Sequence, residues 1–85
     1  MTGPERRFAR NEMHRHLLQR IQERDLALCM EDVLGIEETI ERMRPTWSKP
    51  GRDRYRIHLK HADVMYGFAY DGNVRTIVSA WRLGE

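Results

Sequence analysis

Apolar residues recur in two different rhythms along the chain, and the change of rhythm predicts its architecture. From about Arg7 to Arg24, residues Phe8, Met13, Leu17, Leu18 and Ile21 return at three- and four-residue steps with no glycine or proline between them. That is the spacing of a helix with one apolar face. A second helical stretch runs from about Met30 to Met43 on Val33, Leu34, Ile36, Ile40 and Met43, with acids on its other side. Gly35 inside it costs up to about 1 kcal/mol relative to alanine, and either weakens that helix or splits it near Leu34. Pro45 ends it, because the residue before a proline avoids the α region. Residues 45–53 read as a loop with Pro50-Gly51 as its turn signal. The rhythm then becomes alternation. Tyr55, Ile57 and Leu59 interleave with Arg56, His58 and Lys60, the pattern of a half-buried strand. Val64, Tyr66, Phe68 and Tyr70 interleave with Met65, Gly67 and Ala69, so this strand is expected to be central and covered on both faces. Asp71-Gly72-Asn73 predicts a tight hairpin turn with positive φ. A looser turn at His61-Ala62-Asp63 joins the first two strands, and the third runs from Val74 to about Arg82.

The expected fold class is therefore α+β, with two N-terminal helices packed on one face of a three-stranded antiparallel meander. The domain organisation follows as one domain over 1–85, made of a flexible lead-in (1–6), a helical part (7–43), a loop (45–53) and the meander (54–83). A chain of 85 residues buries only about 60–65% of its unfolded surface, so a partner or a homodimer would add stability it needs. Cys29 is the single cysteine, which rules out an internal disulfide and a multi-cysteine zinc site. No apolar run reaches the length of a membrane span, and the N-terminus has no signal-peptide apolar segment. A cytoplasmic location with no membrane contact is the expectation, with no metal and no cofactor.

Charge sharpens this picture by its distribution. The net charge is only +2. Yet Arg6, Arg7, Arg10, Arg15, Arg20 and Arg24 crowd the first segment, and Lys49, Arg52, Arg54, Arg56 and Lys60 crowd the region after the middle. Between them stand Glu31, Asp32, Glu37, Glu38 and Glu41. His16, Arg20 and Arg24 lie four residues apart, which places them in one stripe on a helix of about 3.6 residues per turn. The stripe runs beside the apolar Met13, Leu17 and Ile21. A cationic line at the border of a docked helix suits an anionic ligand, and the planar guanidinium reads phosphate well. The same stripe would also form a solvated edge, with Arg20 and Arg24 paired to Glu12, Glu23 or Asp25. His14 and His16 point to different sides of the helix and do not form a metal pair.

Further along, Tyr55-Arg56-Ile57-His58-Leu59, Asp63-Val64-Met65-Tyr66, Asp71-Gly72-Asn73-Val74-Arg75-Thr76-Ile77 and the closing Trp81-Arg82 resemble the sheet of RelE-like toxins. The order of helices before the meander is similar too. The His16, Arg20, Arg24 spacing is similar to that of related small domains thought to share the fold with metal-independent ribonucleases. The resemblance covers about residues 12–83. It implies a toxin of a toxin–antitoxin pair that cleaves RNA, free or ribosome-bound, through attack of the 2′-OH, and a neutralising antitoxin partner over the basic face.

In that reading His16 is the acid or base, since an imidazole can serve as either. Arg20 and Arg24 bind phosphate, Arg82 adds charge at the sheet end, and His58 is a second acid–base candidate. Arg54, Arg56 and Lys60 would contact RNA, and Tyr66 would stack on a base or donate a hydrogen bond. Tyr55, Tyr66, Phe68 and Trp81 equally suit a core or an interface. A second reading belongs to another class, a non-enzymatic inhibitor or accessory factor of phage type. Its acidic helix (Glu31, Asp32, Glu37, Glu38 and Glu41), with Trp47 exposed in the following loop, would dock on a basic protein. The near-balanced charge and the ending at Leu83-Gly84-Glu85, with no further basic residues after the last strand, favour that reading.

Overall fold

The computed structural model describes residues 3–84, with side chains described over 7–84. Helix α1 spans Gly3–Glu23, α2 Met30–Arg42 and the short α3 Arg44–Trp47. Strands β1 (Arg54–His61), β2 (Val64–Asp71) and β3 (Thr76–Arg82) form one antiparallel sheet in the order β1-β2-β3. The α+β architecture of N-terminal helices followed by a three-stranded antiparallel meander is thus as the sequence predicts. No helix among the described residues is long and apolar enough to cross a membrane.

The core lies between the helices and one face of the sheet. Leu17 and Ile21 of α1 and Val33, Ile36 and Ile40 of α2 meet Tyr66, Phe68 and Tyr70 of β2 and Ile77 and Ala80 of β3. Burying a side chain of this size contributes about 1.5–3 kcal/mol. Tyr66, Phe68 and Tyr70 are the largest fully buried side chains, at 1%, 0% and 0% exposure. Helix α2 starts on a cap made by its own sequence. The Asp32 carboxylate accepts the backbone N–H of Cys29 at 2.9 Å and its thiol at 3.2 Å, which satisfies a donor the helix cannot.

Several local expectations change. Residues 3–6 of the expected lead-in belong to α1, and residues 1–2 lie outside the described residues. Gly35 sits inside an unbroken α2, while Leu34, expected on the apolar face, is exposed. Pro45 takes an early position in α3, where its missing N–H costs nothing. Trp47 at the end of α3 packs edge-on against Tyr55 and Tyr70, with centroids 4.6 and 5.5 Å apart. Its indole N–H donates to Ile40 O at 2.8 Å, so it plugs the core instead of standing exposed.

The two hairpins exchange roles. Ala62 and Asp63 both have positive φ (49° and 65°) and connect the paired residues His61 and Val64, so the supposedly looser turn is the tight primed one. Between β2 and β3 the chain uses four residues, 72–75, and positive φ falls on Arg75 (62°). The Asp71 carboxylate organises that loop by accepting the N–H groups of Asn73 and Val74 at 2.9 and 3.0 Å. β3 consequently begins at Thr76 rather than Val74. A bulge opposite Ala69/Tyr70 leaves Val78 without a partner on β2.

Candidate anion-binding groove

β2 is central, but the helices cover only one of its faces. The cross-strand rows on the open face are Arg54–Asp71, Arg56–Ala69–Ser79 and His58–Gly67–Trp81. Period-two alternation therefore puts large aromatic rings into the core and small residues on the other side of the same strand. The small residues form a floor between two cationic walls.

Helix α1 supplies one wall by docking along the free edge of β3. Arg20 Nη1 donates to Val78 O at 2.7 Å. Arg24 Nη1 donates to Ala80 O at 2.6 Å and to Ser79 Oγ at 3.0 Å. The match is geometric. Four helical residues rise about 6 Å, close to the roughly 6.6 Å of two strand residues, so arginines four apart reach carbonyls two apart. Among the described residues neither arginine pairs with an acid as a solvated edge would require; Glu12 holds Arg15 and Glu23 accepts from Gln19. Each guanidinium has five N–H donors in a rigid plane, so binding the strand edge fixes its position and leaves donors for a ligand.

β1 supplies the opposite wall. Arg54 is steered by Asp71, whose Oδ2 accepts its Nε–H at 2.9 Å. The Arg56 guanidinium lies 5.7 Å from the centroid of the Trp81 ring. Two recesses result. Met13, His16, Arg20, Arg24, Arg54, Ala69, Val78 and Ser79 line one of about 540 Å³. Arg24, Arg56, Ala69, Ser79 and Trp81 line the next, of about 480 Å³. They share Arg24, Ala69 and Ser79 and so form one groove, running from His16 at one end to Trp81 at the other. No acid is among these lining residues. His16 is exposed and makes no hydrogen bond or ion pair with the described residues.

The groove gathers His16, Arg20, Arg24, Arg54 and Arg56. The remaining candidates stand elsewhere. His58 and Lys60 are exposed on the open face of β1, outside both recesses. Tyr66 is buried on the core side and cannot stack on a base. Arg82 pairs in register with Tyr66, and its Nη2 lies 3.4 Å from Asp25 O. It does not line the groove with His16. Sequence reasoning missed Ser79, Gly67 and Ala69, and it left Trp81 in a core or interface. The signal available was the run of small residues at alternate positions.

Of the acids expected on the polar face of α2, Glu37 is turned inward, and Asp32 and Glu41 are half-buried. Glu37 is 3% exposed and sits on the buried side of the helix, not with the polar face. Its carboxylate accepts from Arg10 Nη2 and from the Ile77 N–H, each at 2.8 Å, and His14 Nε2 lies 2.8 Å away. It therefore ties α1, α2 and β3 together. Glu41 accepts from Arg44 Nε and Nη2 at 2.9 and 2.8 Å, and from the Tyr70 hydroxyl. Burial acts to raise its pKa, but the hydrogen bonds from Arg44 and Tyr70 outweigh this and hold it below the ordinary glutamate value. Asp32 is likewise held low, first by the Cys29 N–H, then by the Cys29 thiol and His61. His61 Nε2 is 3.1 Å from its Oδ1. Glu31 and Glu38 remain exposed, so of the acidic set expected to dock on a partner only Glu37 is withdrawn from the surface. Among the described residues no three His, Cys, Asp or Glu side chains are grouped to hold a metal ion.

Comparison with family models, with curated proteins and with solved structures finds no match to this chain, so the functional reading rests on the groove itself.

Proposed function

We propose that the groove binds RNA and that the chain is a small ribonuclease, a RelE-like toxin or a relative of one, working without a metal ion. One observation carries this reading. The His16, Arg20, Arg24 stripe of α1 and Arg54 of β1 line a single recess that contains no acid. A phosphodiester there meets guanidinium donors from two sides, which can hold its non-bridging oxygens and stabilise the charge that grows on them. His16 would take the proton of the 2′-OH as that oxygen forms its bond to phosphorus. The bond from phosphorus to O5′ then breaks, and O5′ takes a proton from solvent. General base help of this kind contributes roughly 10²–10⁴-fold.

The test is cleavage of a mixed RNA pool and of ribosome-bound message in EDTA by the wild-type chain and by His16→Ala. His16 is exposed and makes no hydrogen bond or ion pair with the described residues, so the variant is expected to keep its circular dichroism and melting curve while cleavage falls at least about 100-fold. Equal cleavage by both proteins would remove His16 from the chemistry. Intact RNA in every wild-type reaction would sink the nuclease reading.

A further inference from the structure

We propose that the Trp81 end of the groove is a base-stacking subsite, and that the groove takes single-stranded rather than duplex nucleic acid. This rests on the reading above and adds the class of substrate. Trp81 lies on the open face of the sheet, opposite Gly67 in register. A Cβ added at Gly67 would lie 2.3 Å from both Nε1 and Cε2 of the indole. The ring thus occupies the space that any other side chain at position 67 would need. Arg56 holds it from the β1 side through a cation–π contact.

The ring belongs to the groove rather than to the core. It is half-buried, lines the second recess with Arg24 and Arg56, and is absent from the buried cluster that holds Tyr66, Phe68 and Tyr70. Its indole N–H has no acceptor among the described residues. An aromatic ring at the end of a row of arginines matches the pairing of stacking platform and backbone-tracking cations found where single strands bind. A duplex keeps its bases paired and stacked inside, so it could use the arginines but not the indole. A strand whose phosphates follow Arg54, Arg20 and Arg24 could turn one base onto Trp81.

The experiment measures binding by fluorescence anisotropy with a labelled eight-nucleotide RNA, 2′-O-methylated against cleavage. A blunt duplex of the same sequence and inorganic polyphosphate serve as charge-only probes. The wild-type chain is expected to bind the single strand at least about tenfold more tightly than the duplex. Trp81→Leu should lose about 5- to 150-fold on the single strand, the range of one stacked base, with less than twofold change for duplex and polyphosphate. Gly67→Ala should act in the same direction by displacing the ring, and should add little once Trp81 is leucine. Indole emission of the wild-type chain offers a check that needs no variant, because stacking quenches it with the single strand and polyphosphate does not. Equal loss on single strand and duplex, or no loss on either, overturns the subsite while RNA binding stands. Failure of the wild-type chain to bind any of the three probes removes the subsite and the RNA reading together.

Discussion

The two faces of β2 are built from alternate residues of one eight-residue strand, yet they have opposite characters. On the core side Tyr66, Phe68 and Tyr70 fill the space under α2 and α1. Beyond them the buried Glu37 and the half-buried Glu41 collect Arg10, His14, Arg44 and the Tyr70 hydroxyl. On the open side Gly67 and Ala69 leave a concave floor, and the cations around it meet no acid apart from Asp71, the partner of Arg54. Charges on the core side are matched, which a buried site requires. On the open side only Arg54 has an acid partner among the described residues, and Arg20, Arg24 and Arg56 are held in place without one, which suits a receptor for a polyanion. The comparison teaches that arginine count says little here. Arg10 and Arg44 serve the fold, Arg54 and Arg56 face the groove, and Arg20 and Arg24 do both.

If the faces differ in this way, substitutions should sort by face. Glu37→Ala has the largest expected effect, because it strips Arg10, His14 and the Ile77 N–H of their shared acceptor. A loss of about 3–5 kcal/mol is expected for breaking a buried charged cluster, read as a fall in melting temperature of at least about 12 °C. A cost below about 1 kcal/mol would show that the cluster does not hold the fold. Ala69→Leu comes next and tests the other face. It fills the shared part of the groove without touching the core, so RNA affinity should drop about tenfold while stability stays within about 0.5 kcal/mol. A large fall in stability with unchanged binding would reverse the assignment of faces.

The smallest effect concerns pH. Burial, and then the hydrogen bond to Glu41, push the Tyr70 hydroxyl well above the ordinary tyrosine value of 10.0. The folded state therefore keeps this proton where the unfolded chain releases it. Its contribution is intact below pH 10 and is lost as pH rises further. Urea midpoints from pH 8 to 11 should fall in the wild-type chain and fall less in Tyr70→Phe. That variant should cost about 1 kcal/mol at neutral pH for the lost hydrogen bond.

Much of this was legible in the sequence. Helix periodicity located α1 and α2 within a few residues, alternation located β1 and β2, and the turn signal after β2 placed β3, because these patterns are local. The His16, Arg20, Arg24 stripe was legible for the same reason. Turn types were not. Asp-Gly-Asn carries the stronger primed-turn signal, but the Asp71 side chain captures two backbone N–H groups and builds a longer loop, while Ala62 and Asp63 accept positive φ under the pull of strand pairing. Tyr66 and Trp81 were ambiguous, since an aromatic residue in a strand suits either face until register and helix placement assign it.

The sequence by itself determined the elements, their order and the cationic stripe on the first helix, all properties of near neighbours in the chain. Tertiary structure decided what those elements are for. Arg20 meets Val78 across 58 positions of chain, and Glu37 meets Ile77 across 40. No periodicity encodes such contacts. They arise because α1 docks on the edge of β3, where the helical rise of four residues nearly matches two residues of strand. That docking turns a charged helix edge into one wall of a groove, and it leaves the opposite face of the sheet open to a ligand.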